Sequence, residues 1–183
     1  TTLDALSHSF ESIWNKNSNK ESTNYALEAI LIILDNINKL KNGLDNLTVR
    51  NKLLEASNKA GLAFSNTKTA AAHSISYPLT IRYGIPHGIA SSISIIPLLE
   101  INGVFIKKDL DKICGKLNVN FDQLSSKIKS ISDGYIPYNL SSWGIKESDL
   151  NQLVSESFTK GRMDNNIVDL TREDIYSLLF SIL

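Results

Sequence analysis

Apolar residues return every three or four positions along this chain and nowhere alternate with polar ones for long enough to make a strand. Such a sequence can bury its hydrophobic surface only by packing helices on helices. The clearest case is residues 22–41, where Leu27, Ile30, Leu34, Ile37 and Leu40 share one helical face and every position from 29 to 34 is apolar. Six consecutive apolar residues would also suit a buried strand, but the helical spacing on either side decides against it. Asn42 and Gly43 supply the stop. This segment is expected to be the central buried helix.

The same reading places a first helix through Leu3, Leu6, Phe10, Ile13 and Trp14, ended by the polar run 15–19. Residues 47–66 form a third, with Ala56, Ala60, Gly61 and Ala63 as a small-residue stripe that admits a close neighbour. Further helices are predicted at 69–76, at 89–96 running into Pro97, and at 98–103, 109–117, 121–132 and 146–160. A last one over 171–183 is opened by a capping box of Thr171 and Asp174. The expected fold is all-α, a multi-helix bundle forming one domain.

The 183 residues suffice for one buried core, and 42% hydrophobic content is ordinary for a globular domain. Nineteen basic and 19 acidic side chains cancel, so no net field draws the chain to nucleic acid or to an anionic membrane. The lone Cys114 has no partner for a disulfide or a zinc site. No apolar run spans a bilayer and no signal pattern opens the sequence, so a cytoplasmic location is expected. The opening Thr1 suggests a part of something longer. No glycine-rich phosphate loop follows a strand signal, so a dinucleotide fold is not expected here.

Chemistry concentrates in two short segments that hold all three histidines, His8, His73 and His87. Asp4 and His8 stand at i and i+4 of the first helix, where a carboxylate oxygen and an imidazole nitrogen project from one face. His73 and His87 flank a stretch interrupted by Pro78, Gly84 and Pro86, which can turn the chain back and bring the two imidazoles together. A single histidine is more often a hydrogen-bonded structural group, but this combination uses every histidine in the chain. One oxygen and three nitrogens suit Fe(II) or Zn(II) better than calcium or magnesium. Asp4, His8, His73 and His87 are therefore the candidate metal ligands.

Asp4-Ala5-Leu6-Ser7-His8 followed by Glu11, the run 60–66, His73, and Pro86-His87-Gly88 resemble, in order and spacing, the iron-containing (group III) alcohol dehydrogenases. Trp143-Gly144-Ile145, Ser148-Asp149-Leu150, Asn165-Asn166 and the run 170–175 resemble that family's closing helices. The resemblance implies the all-α, metal-binding carboxy-terminal domain shared by dehydroquinate-synthase-like and iron-containing enzymes, here residues 1–183. It implies that a nucleotide-binding amino-terminal domain precedes it, with Thr1 near the boundary, and that this chain alone is inactive. In the whole enzyme, an NAD(P)-dependent alcohol dehydrogenase or aldehyde reductase, one Asp and three His would hold the metal that polarises the substrate oxygen. NAD or NADP would exchange hydride with a small alcohol or aldehyde. A homo-oligomer stays open.

Where many relatives carry a further, non-ligand histidine four residues after the third ligand, this chain has Tyr77, which puts a histidine proton relay in doubt. That variant resembles the phosphonoacetaldehyde-reductase-like branch, whose substrate carries a phosphonate. Arg82, between two candidate ligands, would then have an anion to bind, against the alternative of a salt bridge. Gly88 either admits a close backbone approach or simply opens a helix, and Gly61 and Ala63 read as packing residues. The competing readings are a polyol dehydrogenase or dehydroquinate-synthase-like domain, and a non-catalytic helical binding module whose histidines are structural.

Overall fold

A computed structural model describes residues 1–43 and 45–183. Among the described residues there are ten α-helices and no strand, apart from an isolated antiparallel bridge between Asn15 and Asn166. Helix α1 (Thr2–Ile13) packs against α2 (Lys20–Asn36), α3 (Leu47–Thr67), α4 (Ala71–Tyr83) and α5 (His87–Ser92). The second half of the chain adds α6 (Ile95–Asn102), α7 (Lys107–Leu117), α8 (Phe121–Lys129), α9 (Leu150–Glu156) and α10 (Arg172–Ser181). α9 lies on α4, α10 on α9 and α6, and α7 on α2 and α8. No single helix among the described residues is long and apolar enough to cross a membrane.

The central position goes to α1, with the first half of α4 equally enclosed, and not to the expected 22–41 helix. From Ala5 to Ile13 every residue of α1 is buried except the half-buried His8, as is every residue from Ala71 to Ser76. α2 is amphipathic: it buries Ala26, Ala29, Ile30, Ile33 and Leu34, while Leu31 and Ile32 stay partly exposed. Serine accounts for the difference. Ser9 and Ser12 return their hydroxyl hydrogens to Ala5 O and His8 O one turn back, and Ser7 donates to Ser91 O. Each polar group is then satisfied inside the bundle at little cost.

Two prolines act differently from their sequence reading. Pro78 does not break the chain: α4 continues through it to Tyr83, because one missing N–H is tolerated in a helix packed on both sides. Gly84, at φ +66° in the left-handed region, caps α4, and Pro86 opens α5, so these two residues alone make the turn. Pro97 does not end a helix. It is the third residue of α6, where its absent N–H is one the helix start would leave unpaired, and the break falls at Ile93 and Ser94.

Helix 146–160 is shortened to a 3-10 turn, Glu147–Asp149, and α9. The Ser74 hydroxyl donates to Ser157 O and accepts from Thr159 N, which diverts the chain toward α4. The Thr171 and Asp174 capping box forms as read. The segment before it ties back to α1: Lys16 N donates to Asn165 O, Ile167 N donates to Trp14 O, and the buried amides of Asn102 and Asn166 exchange two hydrogen bonds at 3.2 and 2.9 Å.

Candidate metal centre

Three helices that meet at α1 carry the chemistry. Asp4, His8 and Glu11 lie at i, i+4 and i+7 of α1, a single stripe. His73 is the third residue of α4 and His87 the first of α5. Three imidazole Nε2 atoms converge on the Asp4 carboxylate: His73 at 3.3 Å and His87 at 3.5 Å from Oδ1, and His8 at 3.7 Å from Oδ2. One donor atom each from Asp4, His8 and His73 lies within 4.8 Å of the others, and His87 joins through Asp4.

The rings are held by their surroundings. His8 is sandwiched between Phe64, centroids 4.1 Å apart and 15° from parallel, and His73, at 4.2 Å and 20°. Phe64 thus sets the plane of His8 from the α3 side. Glu11, fully buried, accepts the His73 backbone N–H at Oε1 (3.0 Å) and the His73 ring at Oε2 (2.6 Å to Nδ1). Asp4 Oδ1 accepts from the Ser91 hydroxyl at 3.3 Å, and Ser91 O accepts in turn from Ser7. His87 is the open side, its side chain 44% exposed.

The electrostatics follow from this crowding. Burial opposes charge on Asp4, but the close polar contact of His73 and then the charges of His8, His73 and His87 hold its pKa at about 2. Burial, and then the His73 charge, push His8 down to about 4 against the pull of Asp4 and Glu11. Burial would also lower His73, yet the Glu11 charge, the close approach of Asp4, the hydrogen bond to Glu11 and the Asp4 charge lift it to about 9.

This donor set fits a divalent transition metal. Bonds of about 2.1 Å at tetrahedral angles put neighbouring donors about 3.4 Å apart, and the three nitrogens stand 3.3–3.7 Å from the carboxylate oxygens. His73 Nε2 is buried and has no partner in hydrogen-bond geometry, although Asp4 Oδ1 is near. A buried imidazole nitrogen without an aligned partner, facing a carboxylate and two more imidazoles, is what a bound cation would satisfy.

Other singled-out residues lie elsewhere. Gly88, second in α5, packs on α1: a Cβ there would meet Asp4 Cβ and Asp4 N at 3.4 Å, so the close approach and the helix start are both realised. Gly61 is not in close packing, since a Cβ would meet nothing within 4 Å, whereas Ala56, Ala60 and Ala63 are buried. Tyr77 is one turn beyond His73 on α4, with the Arg162 guanidinium over its ring at 4.8 Å. Arg82 is nine residues beyond His73, about 13 Å along the helix axis, and forms a two-point ion pair with Glu156 of α9. The geometry is that of the salt-bridge alternative. An apolar cavity of about 400 Å³, lined among others by Leu3, Ile37, Leu40, Gly88 and Ile136, borders the residues flanking Asp4 and His87.

Sequence reasoning quoted Glu11 only as part of a motif and gave it no role. A signal was present: a carboxylate seven residues after Asp4 and three after His8 shares their helical face. Phe64 and Ser91 carried no comparable sign.

The model of the Fe-containing alcohol dehydrogenase family, C-terminal, matches residues 1–183. The chain belongs to this family. It is similar to 1,3-propanediol dehydrogenase from Citrobacter freundii, 27% identical over 91% of this chain and 46% of that protein. Phosphonoacetaldehyde reductase from Streptomyces viridochromogenes is 25% identical over 97% of this chain and 47% of that protein. Among solved structures, sulfoacetaldehyde reductase from Bifidobacterium kashiwanohense in complex with NAD+ superposes with a TM-score of 0.89 and 25% identity, over 99% of this chain and 48% of that one. This iron-containing alcohol dehydrogenase chain thus spans about half the length of the curated relatives it matches.

Proposed function

We propose that residues 1–183 are the metal-binding half of an NAD(P)-dependent alcohol dehydrogenase or aldehyde reductase, with Asp4, His8, His73 and His87 holding Fe(II) or Zn(II). The observation that carries this is the convergence of three Nε2 atoms, from α1, α4 and α5, on one carboxylate, with His73 Nε2 lacking an aligned partner. When bound, the ion supplies Lewis acidity toward the oxygen of an alcohol or aldehyde. Asp4 contributes the negative charge that favours a cation, and Phe64 and Glu11 hold two of the imidazoles in place before any ligand arrives. The exposed face of His87 and the largely apolar cavity beside Gly88 leave a small substrate an open approach to the centre.

The coenzyme would be held by a preceding nucleotide-binding domain, in keeping with a family match to a C-terminal region and with the half-length coverage of the relatives. Relatives named for propanediol, phosphonoacetaldehyde and sulfoacetaldehyde support a small alcohol or aldehyde, including anionic ones, as the substrate class. The test is metal content and anaerobic titration of the full-length protein, beside NAD(P)-linked turnover of propanediol and sulfoacetaldehyde. One tightly held ion per chain, lost in His73→Ala together with turnover, is expected. An ion that His73→Ala retains, or a wild type that takes up none, would overturn the assignment.

A further inference from the structure

We infer that Glu11 is the positioning residue of this centre: its one buried carboxylate fixes both the ring of His73 and the helix that carries it, so that Nε2 is presented to the ion. This rests on the metal-binding reading above.

Glu11 has no access to solvent, and burying a carboxylate is costly unless its oxygens are used. Both are. Oε1 takes the backbone N–H of the third residue of α4, a helix whose N-cap, Ala70, has no side chain able to cap it. The negative charge thus sits at the positive end of α4, doing from α1 what a local cap would do. Oε2 takes the ring Nδ1–H of the same residue at 2.6 Å. With that hydrogen held on Nδ1, the neutral ring that would bind a metal has its lone pair on Nε2, the atom 3.3 Å from Asp4 Oδ1. Two contacts to one residue, across 62 positions of sequence, set where the ring is and which nitrogen is free.

Glutamine separates positioning from simple packing. In Glu11→Gln the side-chain oxygen can still accept the backbone N–H, so the cap survives. The amide NH2 then faces Nδ1 and requires it to accept, which moves the ring hydrogen to Nε2 and blocks the ligating atom. A purely structural Glu11 would tolerate this change at the metal.

The experiment is competitive Zn(II) and Co(II) titration of the full-length protein against a chromophoric chelator, with helical circular dichroism as the folding control. Glu11→Gln is expected to raise the Kd about 10- to 100-fold and to alter the Co(II) visible spectrum. Wild-type affinity and spectrum in a folded Glu11→Gln protein would overturn the inference. Should that variant not fold, nitrogen-15 spectra of the Zn(II)-loaded wild type decide: a protonated, slowly exchanging His73 Nδ1 is expected, and a metal-bound Nδ1 overturns it. Failure of the metal reading looks different, since the wild type itself would then take up no ion.

Discussion

Asn166→Ala should destabilise the protein far more than one lost side chain suggests, and most of that cost should vanish when Asn102 is also replaced. Both amides are fully buried. Asn166 Nδ2 donates to Asn102 Oδ1 and to Val168 O, and Asn102 Nδ2 donates back to Asn166 Oδ1. Asn166→Ala leaves an N–H and a carbonyl of Asn102 without partners; at roughly 1–3 kcal/mol for each stranded buried group, the loss is about 4 kcal/mol. Val168 O is partly exposed and can turn to water. Asn102→Ala strands only Asn166 Oδ1, because Asn166 Nδ2 keeps Val168 O, so its cost is about 2 kcal/mol. The double variant strands neither amide and should cost about 1–2 kcal/mol for the lost pair itself, which against about 6 kcal/mol for the two single changes summed gives a coupling of about 4–5 kcal/mol. Urea denaturation of the four proteins reads this as midpoint shifts at constant slope, and the single Asn166→Ala change should lower Tm by about 10 °C. Additivity of the two single changes within about 0.5 kcal/mol would refute the reasoning.

Metal-free protein should be most stable near neutrality. His73 sits at about 9 when folded against 6.5, so its contribution is full below 6.5 and is lost as pH rises through 9; His8, lowered to about 4, costs stability as pH falls from 6.5 toward 4. Chemical denaturation in chelator from pH 4 to 9 should trace a maximum with flanks on the order of 1–3 kcal/mol, and a flat profile would contradict it. Arg82→Ala in the full-length enzyme should leave the ratio of KM values for an anionic and a neutral aldehyde unchanged, because its guanidinium is committed to Glu156. A selective rise for the anionic substrate would restore Arg82 as a substrate contact.

The helical class, the Asp4 and His8 pairing and the Thr171 cap were legible because each depends on neighbours within one or two turns of chain. What escaped depends on long-range contacts. α1 outranks α2 in burial because serine hydroxyls find acceptors one turn away or on α5, which makes a polar-looking sequence suited to the interior. Pro97 misled because it falls in the first turn of α6, where its missing N–H has no helix turn to serve, and Pro78 because a helix packed by its neighbours tolerates a proline in its interior. Glu11 shares a face with two candidate ligands in sequence, yet its partner is 62 residues away.

The tie between residues 165–167 and the end of α1 has a consequence for the order of assembly. Trp14 O and Lys16 N, at the foot of the helix bearing Asp4, His8 and Glu11, are paired with Ile167 N and Asn165 O. As the chain emerges from synthesis, these bonds wait until residues 165–167 have been made. The helix that carries three groups of the centre is thus closed by residues far along the chain, a non-local closure of the kind that slows folding.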